Sequence, residues 1–87
     1  MYERRERVKG KIALYSFDSS DSEVIEKNLV NIETPSARLP HNIRFAHFWY
    51  SRELIDKIRK YFNEGKTVTF ILNRTDDKRD ILINIEE

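Results

Sequence analysis

Cysteine is absent from this chain, so disulfides and thiol chemistry are excluded, and a structural zinc site would have to form without thiolates. Glutamine is absent too, and methionine occurs once. Gly10 and Gly65 are the only glycines, which excludes a glycine-rich phosphate loop. Net charge is nearly absent: 16 basic and 15 acidic side chains leave a formal +1. No global field would steer a nucleic acid to such a chain, although a local patch still could, and an acidic mimic of nucleic acid is excluded. Long apolar runs are missing, and the charged start Met1–Arg7 leads to no apolar signal core. The expectation is a soluble, cytoplasmic protein with no membrane segment and no cofactor.

What is present is a single domain, 1–87, large enough to fold alone around a modest core. The apolar residues are large and periodic, unlike those of disordered chains. Charged residues reach 36%, and Glu53–Lys57 and Asp56–Lys60 have the stabilising i,i+4 order on a helix. This leans towards heat adaptation, while six asparagines argue the other way.

The stretch from Ile43 to Asn73 organises the fold. Leu54, Ile55, Ile58, Tyr61 and Phe62 fall on one stripe of an amphipathic helix spanning about 52–64. Ser51 offers the N-cap oxygen, Glu53 suits the positive end of the dipole, and Gly65 supplies the left-handed terminus. Before it, Ile43–Tyr50 reads as an aromatic strand. Ile43, Phe45, His47 and Trp49 share one face, and Arg44, Ala46, Phe48 and Tyr50 the other. Both faces are largely apolar, which implies a central strand covered on both sides. After the helix, Lys66–Asn73 and the segment around Ile81–Ile85 read as a C-terminal β-hairpin about the turn Thr75–Lys78.

Arg4–Phe17 is the first strand. By alternation Val8, Ile12 and Leu14 share one face with Gly10 among them, and Arg5, Arg7, Lys9, Lys11, Ala13, Tyr15 and Phe17 share the other. Residues 21–33 are ambiguous: Val24, Ile25, Leu29 and Ile32 fit one helical face, while Leu29–Thr34 also reads as a strand, and a short helix near Asp21–Asn28 followed by an extended segment is favoured. Thr34–Asn42 is a proline-bearing loop.

These elements predict an α+β fold with one small mixed or antiparallel sheet of four to five strands, and the helix packed on it. The tight strand–helix–strand passage favours a right-handed crossover between parallel strands. The alternative is an OB-like five-stranded barrel. Five strands with one helix between the third and fourth is the element order of the oligonucleotide/oligosaccharide-binding barrel, which also tolerates a glycine within a long first strand. The resemblance is one of element order.

Three functional classes follow. The aromatic segment offers Phe45, Phe48, Trp49 and Tyr50 as interface candidates, because one helix does not cover 10 aromatics. A non-enzymatic binding or regulatory protein acting through protein–protein contacts, including a homodimer, is the leading expectation. The alternative is a single-stranded nucleic-acid module in which Arg5, Arg7, Lys9 and Lys11 meet phosphates while Tyr15 and Phe17 stack on bases. The same residues also fit a solubilising edge and a second core face. The third class is a small metal-independent ribonuclease built on Arg44, His47 and Tyr50. Ser16, Asp18, His47 and Tyr50 supply hydrolytic residue types without an assembled constellation, and no catalytic residue is assigned. His41 and His47 lie too far apart on extended chain to share a metal, so no metal site is expected.

Overall fold

The computed structural model describes residues 4–18, 25–34, 42–77 and 79–87. It is an α+β fold of one five-stranded mixed sheet and one helix. The elements run β1 (Arg4–Ser16), β2 (Leu29–Thr34), β3 (Asn42–His47), α1 (Arg52–Glu64), β4 (Val68–Arg74) and β5 (Asp80–Glu86). The strands neighbour one another in the order β1-β2-β3-β5-β4, and β4 returns to β1. Every pairing is antiparallel except β3–β5, which meets in parallel at the single bridge His47–Ile81. No helix among the described residues is long and apolar enough to cross a membrane.

The element order is the one shared with the oligonucleotide/oligosaccharide-binding barrel. The expected crossover between adjacent parallel strands is not formed. β5 lies between β3 and β4, runs parallel to β3 and antiparallel to β4, so the two strands flanking α1 point in opposite directions. Tight joins to a helix constrain where the chain re-enters the sheet, but not which strand later inserts beside it.

The helix forms as its caps direct. Ser51 Oγ accepts from the Leu54 N–H, and Gly65 adopts φ 61, the left-handed region. Leu54, Ile55, Ile58 and Tyr61 are buried, while Phe62 lies at the margin of the stripe and packs edge-on against Tyr15. The helix sits against β1 and β5. Its buried stripe joins Val30, Ile32, Ala46, Phe48, Phe70, Leu72 and Ile85 in one core. Burying such a side chain contributes about 1.5–3 kcal/mol relative to leaving it exposed.

Gly10 marks the point where β1 changes partners. It is opposite Val68 on β4, and the next residue, Lys11, is opposite Glu33 on β2. A Cβ at Gly10 would lie 2.5 Å from the Glu33 carbonyl oxygen, so only glycine allows the two backbones this approach. Three residues on, Ile12 pairs with Ile32 but Leu14 pairs with Asn31, leaving Ala13 as an extra residue. This β-bulge reverses the alternation. Leu14 turns outward, and Tyr15, opposite buried Val30, turns inward.

A second register shift lies on β5. Leu72 pairs with Leu82 and Ile71 with Asn84, so Ile83 is extra and exposed while Ile81, Leu82 and Ile85 are buried. β2 is a strand, and the described part of the favoured 21–28 helix, Ile25–Asn28, is a turn closed by the Asn28 N–H to the Ile25 carbonyl at 3.0 Å. The remainder of that helix, the proline loop and His41 lie outside the described residues. Of the expected Thr75–Lys78 turn, Lys78 lies outside the described residues, and the Thr75 N–H donates to the Arg79 carbonyl at 3.0 Å.

Candidate functional site

Registers across β1, β2 and β3 align three outward rows: Lys11–Glu33–Ile43, Leu14–Asn31–Phe45 and Ser16–Leu29–His47. Leu14 is 60% exposed, Phe45 59% and Ile43 47%. They form an apolar centre on the outer face of the sheet, bordered by Lys11, Glu33, Ser16 and His47. The expectation that β3 is covered on both faces therefore fails for the outer one. Asn31 lies within this centre, and its Oδ1 has no hydrogen-bond partner among the described residues.

Of the four aromatic interface candidates, Phe45 and Trp49 are exposed. Phe48 is fully buried beside Ala46, and it offers no surface. Tyr50 is half-buried and packs 6.1 Å from the Phe17 ring. Leu14 and Ile43 are the surface residues that sequence reasoning missed. Leu14 was hidden by the bulge, and Ile43 by the assumption that β3 is central.

Arg5, Arg7, Lys9 and Lys11 are all exposed, on the outward parity of β1. Arg7 is paired with Glu86 at 2.5 Å, whereas Arg5, Lys9 and Lys11 have no carboxylate within ion-pair distance among the described residues. The expected continuation of this ladder into Tyr15 and Phe17 is not there. Past the bulge both rings lie on the other face, where Tyr15 meets Phe62 at 5.2 Å and the Arg59 guanidinium sits 5.1 Å over Phe17. The aromatic side chain on the same outer surface as the lysines is Phe45, two strands away.

Arg44, His47 and Tyr50 are not brought together. Arg44 has the inward parity of β3 and His47 the outward. Arg44 donates to both Glu6 carboxylate oxygens, at 2.7 and 2.8 Å, and to Asp80 at 3.1 Å. These hydrogen bonds, foremost those to Glu6, raise the guanidinium above the ordinary arginine range against the opposing effect of burial. Asp80 Oδ1 also faces Arg74 at 3.5 Å, an ion-pair contact without a hydrogen bond. The network ties the starts of β1, β3 and β5. Arg44 is thus engaged in closing the sheet. Ser16 and His47, flanking Leu29, are two strand spacings apart, about 10 Å, too far for proton transfer. No cluster of three metal-ligating side chains occurs among the described residues.

A separate cleft of about 430 Å³ opens between the start of α1 and β5, with Trp49 on its wall. Lys57 reaches across from the helix to Asn84 Oδ1 at 2.8 Å and to the Ile85 carbonyl at 3.4 Å, instead of pairing with Glu53.

Comparison with protein-family models, curated proteins and solved structures finds no match to this chain.

Proposed function

We propose that this chain is a non-enzymatic binding module, working in the cytoplasm, that makes protein–protein contacts through the outer face of β1, β2 and β3. Self-association is the form to test first. The observation that carries this reading is the exposed set Leu14, Ile43 and Phe45 on one outer face of the sheet, bordered by polar side chains. An apolar centre with a polar rim is the anatomy of a protein interface. Two of the three residues are aliphatic, and aliphatic side chains offer no plane on which a base can stack. Sedimentation equilibrium up to high micromolar concentration tests it. A dimer converted to monomer by Phe45→Asp, with unchanged circular dichroism, is the expected result. A monomeric wild type would remove self-association.

A second reading, single-stranded nucleic-acid binding, rests on Arg5, Lys9 and Lys11, whose charges no carboxylate among the described residues offsets, beside exposed Phe45. In the oligonucleotide/oligosaccharide-binding barrel the face of the second and third strands binds the ligand. Phe45, rather than Tyr15 or Phe17, would be the stacking platform.

A further inference from the structure

The edge of β5 ends its partnership with β3 early. The two strands meet at His47–Ile81 alone, and beyond Ile81 no described strand lies on that side. The cleft beside α1 occupies this gap. It is lined by Ile81, Leu82, Ile83 and Asn84, four consecutive residues. Because the pairing with β3 stops at Ile81, these residues bring the free edge of β5, bent by the bulge at Ile83, to the cleft. The Ile85 carbonyl accepts from the Lys57 ammonium at 3.4 Å. The bulge at Ile83 leaves that side chain exposed at the cleft, with exposed Trp49 also on its wall.

Lys57 supplies the charge. It is half-buried, its acceptors are the neutral Asn84 Oδ1 and the Ile85 carbonyl, and no carboxylate among the described residues is within ion-pair distance. A partly desolvated ammonium with only neutral partners favours an anionic group in its vicinity. Glu53 lines the cleft one helical turn earlier and disfavours an acid there, so the two side chains set the polarity of a ligand.

We propose that this cleft takes an extended acidic segment of a partner protein, added as a strand to the β5 edge, with one apolar side chain between Trp49 and Ile83 and one carboxylate on Lys57. Main-chain pairing supplies affinity in strand addition, and side-chain pockets supply specificity. The site is distinct from the outer face of β1, β2 and β3, and stands whether or not that face binds protein.

Trp49 is the only tryptophan, so its emission reports the cleft directly. The probe is an array of acetylated peptides of about six residues, alternating valine, isoleucine or threonine, with one aspartate or glutamate placed at each position in turn. The expected result is a saturable change in Trp49 emission for members with one acid position, with amide shifts in the wild type centred on Ile81–Ile85. Replacing the acid by its amide, or Lys57→Met, should weaken binding about tenfold or more. Methylating alternate peptide nitrogens should abolish it. The proposal is overturned if no member gives a saturable change up to millimolar concentration. It is equally overturned if binding survives nitrogen methylation, or survives Lys57→Met in a variant whose circular dichroism is intact. Binding lost on Phe45→Asp but kept in Lys57→Met would put the peptide on the outer face and reject the cleft.

Discussion

Asn28 and Phe48 hold each other twice: the Asn28 amide donates to the Phe48 carbonyl at 3.1 Å, and the Phe48 N–H donates to the Asn28 carbonyl at 3.3 Å. The Asn28 Oδ1 also accepts from the Asp18 N–H at 3.0 Å. One fully buried polar residue therefore joins the end of β1, the start of β2 and the exit of β3. Asn28→Ala strips partners from buried backbone groups and should destabilise by about 2–3 kcal/mol. Asn28→Asp should be no milder, because a carboxylate would face the Phe48 carbonyl. Urea denaturation checks both, and a loss under about 0.5 kcal/mol for either would contradict the joint.

The two glycines separate a steric requirement from a conformational one. At Gly65 a Cβ meets nothing within 4 Å, but φ is +61. Gly65→Ala should therefore cost about 1 kcal/mol through left-handed strain alone. At Gly10 the added methyl collides with the backbone of β2, so Gly10→Ala should cost about 2 kcal/mol or more. Paired denaturation midpoints check the ranking, and a reversed order would refute the close approach of β1 to β2.

Three positions on α1 should rank by what they touch. Ile58→Ala should cost about 2–4 kcal/mol through the cavity it leaves in the core. Exposed Asp56→Ala should fall within about 0.5 kcal/mol of wild type. Lys57→Ala should lie between them, near 1 kcal/mol, since its ammonium holds Asn84 and the Ile85 carbonyl. Thermal or urea melts of the three variants check the order.

The contacts of Lys57 mark where the sequence alone stopped being informative. The helix was legible end to end, because caps and a 3.6-residue stripe are local signals carried by Ser51, Leu54, Ile58 and Gly65. The hairpin of β4 and β5 was legible for the same reason. The destination of Lys57 was not, since an i,i+4 acid at Glu53 competes on paper with a strand distant in sequence. Alternation along β1 was counted correctly as far as Ile12 and wrongly beyond it, because a bulge leaves no mark on composition. Asn28 reads as an ordinary turn residue until Phe48 is known to lie beside it. Ring order could not be read, since which strand inserts next to β3 depends on contacts far along the chain. The candidate surface suffered most, with Phe48 assigned to it and Leu14 placed on the face of Val8 and Ile12.

Arg44 should be intolerant of its usual substitute. Arg44→Met leaves the nearly buried Asp80 carboxylate with less compensation and should cost about 1–3 kcal/mol, the network being partly exposed. Because Glu6 and Asp80 raise the guanidinium above its ordinary value, its contribution is complete at neutral pH and fades only as pH climbs through that raised value. The wild type should therefore show no alkaline loss of stability from this group. Arg44→Lys loses the two-pronged contact with Glu6 and titrates within reach, so its deficit should widen above about pH 10. Urea unfolding at neutral and alkaline pH checks the sign, and a deficit that narrows with rising pH would contradict it.

The nucleic-acid reading has its own signature. If Arg5, Lys9 and Lys11 meet phosphates, replacing two of them should reduce the salt slope of log affinity by about 1–2 units. Phe45→Ala should weaken binding by about 1–3 kcal/mol with the slope nearly unchanged, while Tyr15→Phe should have no effect. Fluorescence anisotropy with short RNA and DNA strands across several salt concentrations reads all three. Absence of binding at low salt rejects the reading.

The bulge on β1 gives one residue command over what the surface says. Ala13 has no register partner on β2, and its bulging out of the ladder decides that a leucine faces out and a tyrosine faces in. Deleting Ala13 would join Ile12 directly to Leu14 in the same register and keep the leucine outward and the tyrosine inward, whereas pairing Ala13 into an unbroken ladder would expose the tyrosine next to the lysines and turn the leucine inward. One sequence in two registers would thus offer different chemistry to a partner, one greasy and flat, the other aromatic and basic. The recognition properties of this sheet are thus written in its register as much as in its residues, and a change of register in β1 would reprogram them more thoroughly than any single substitution.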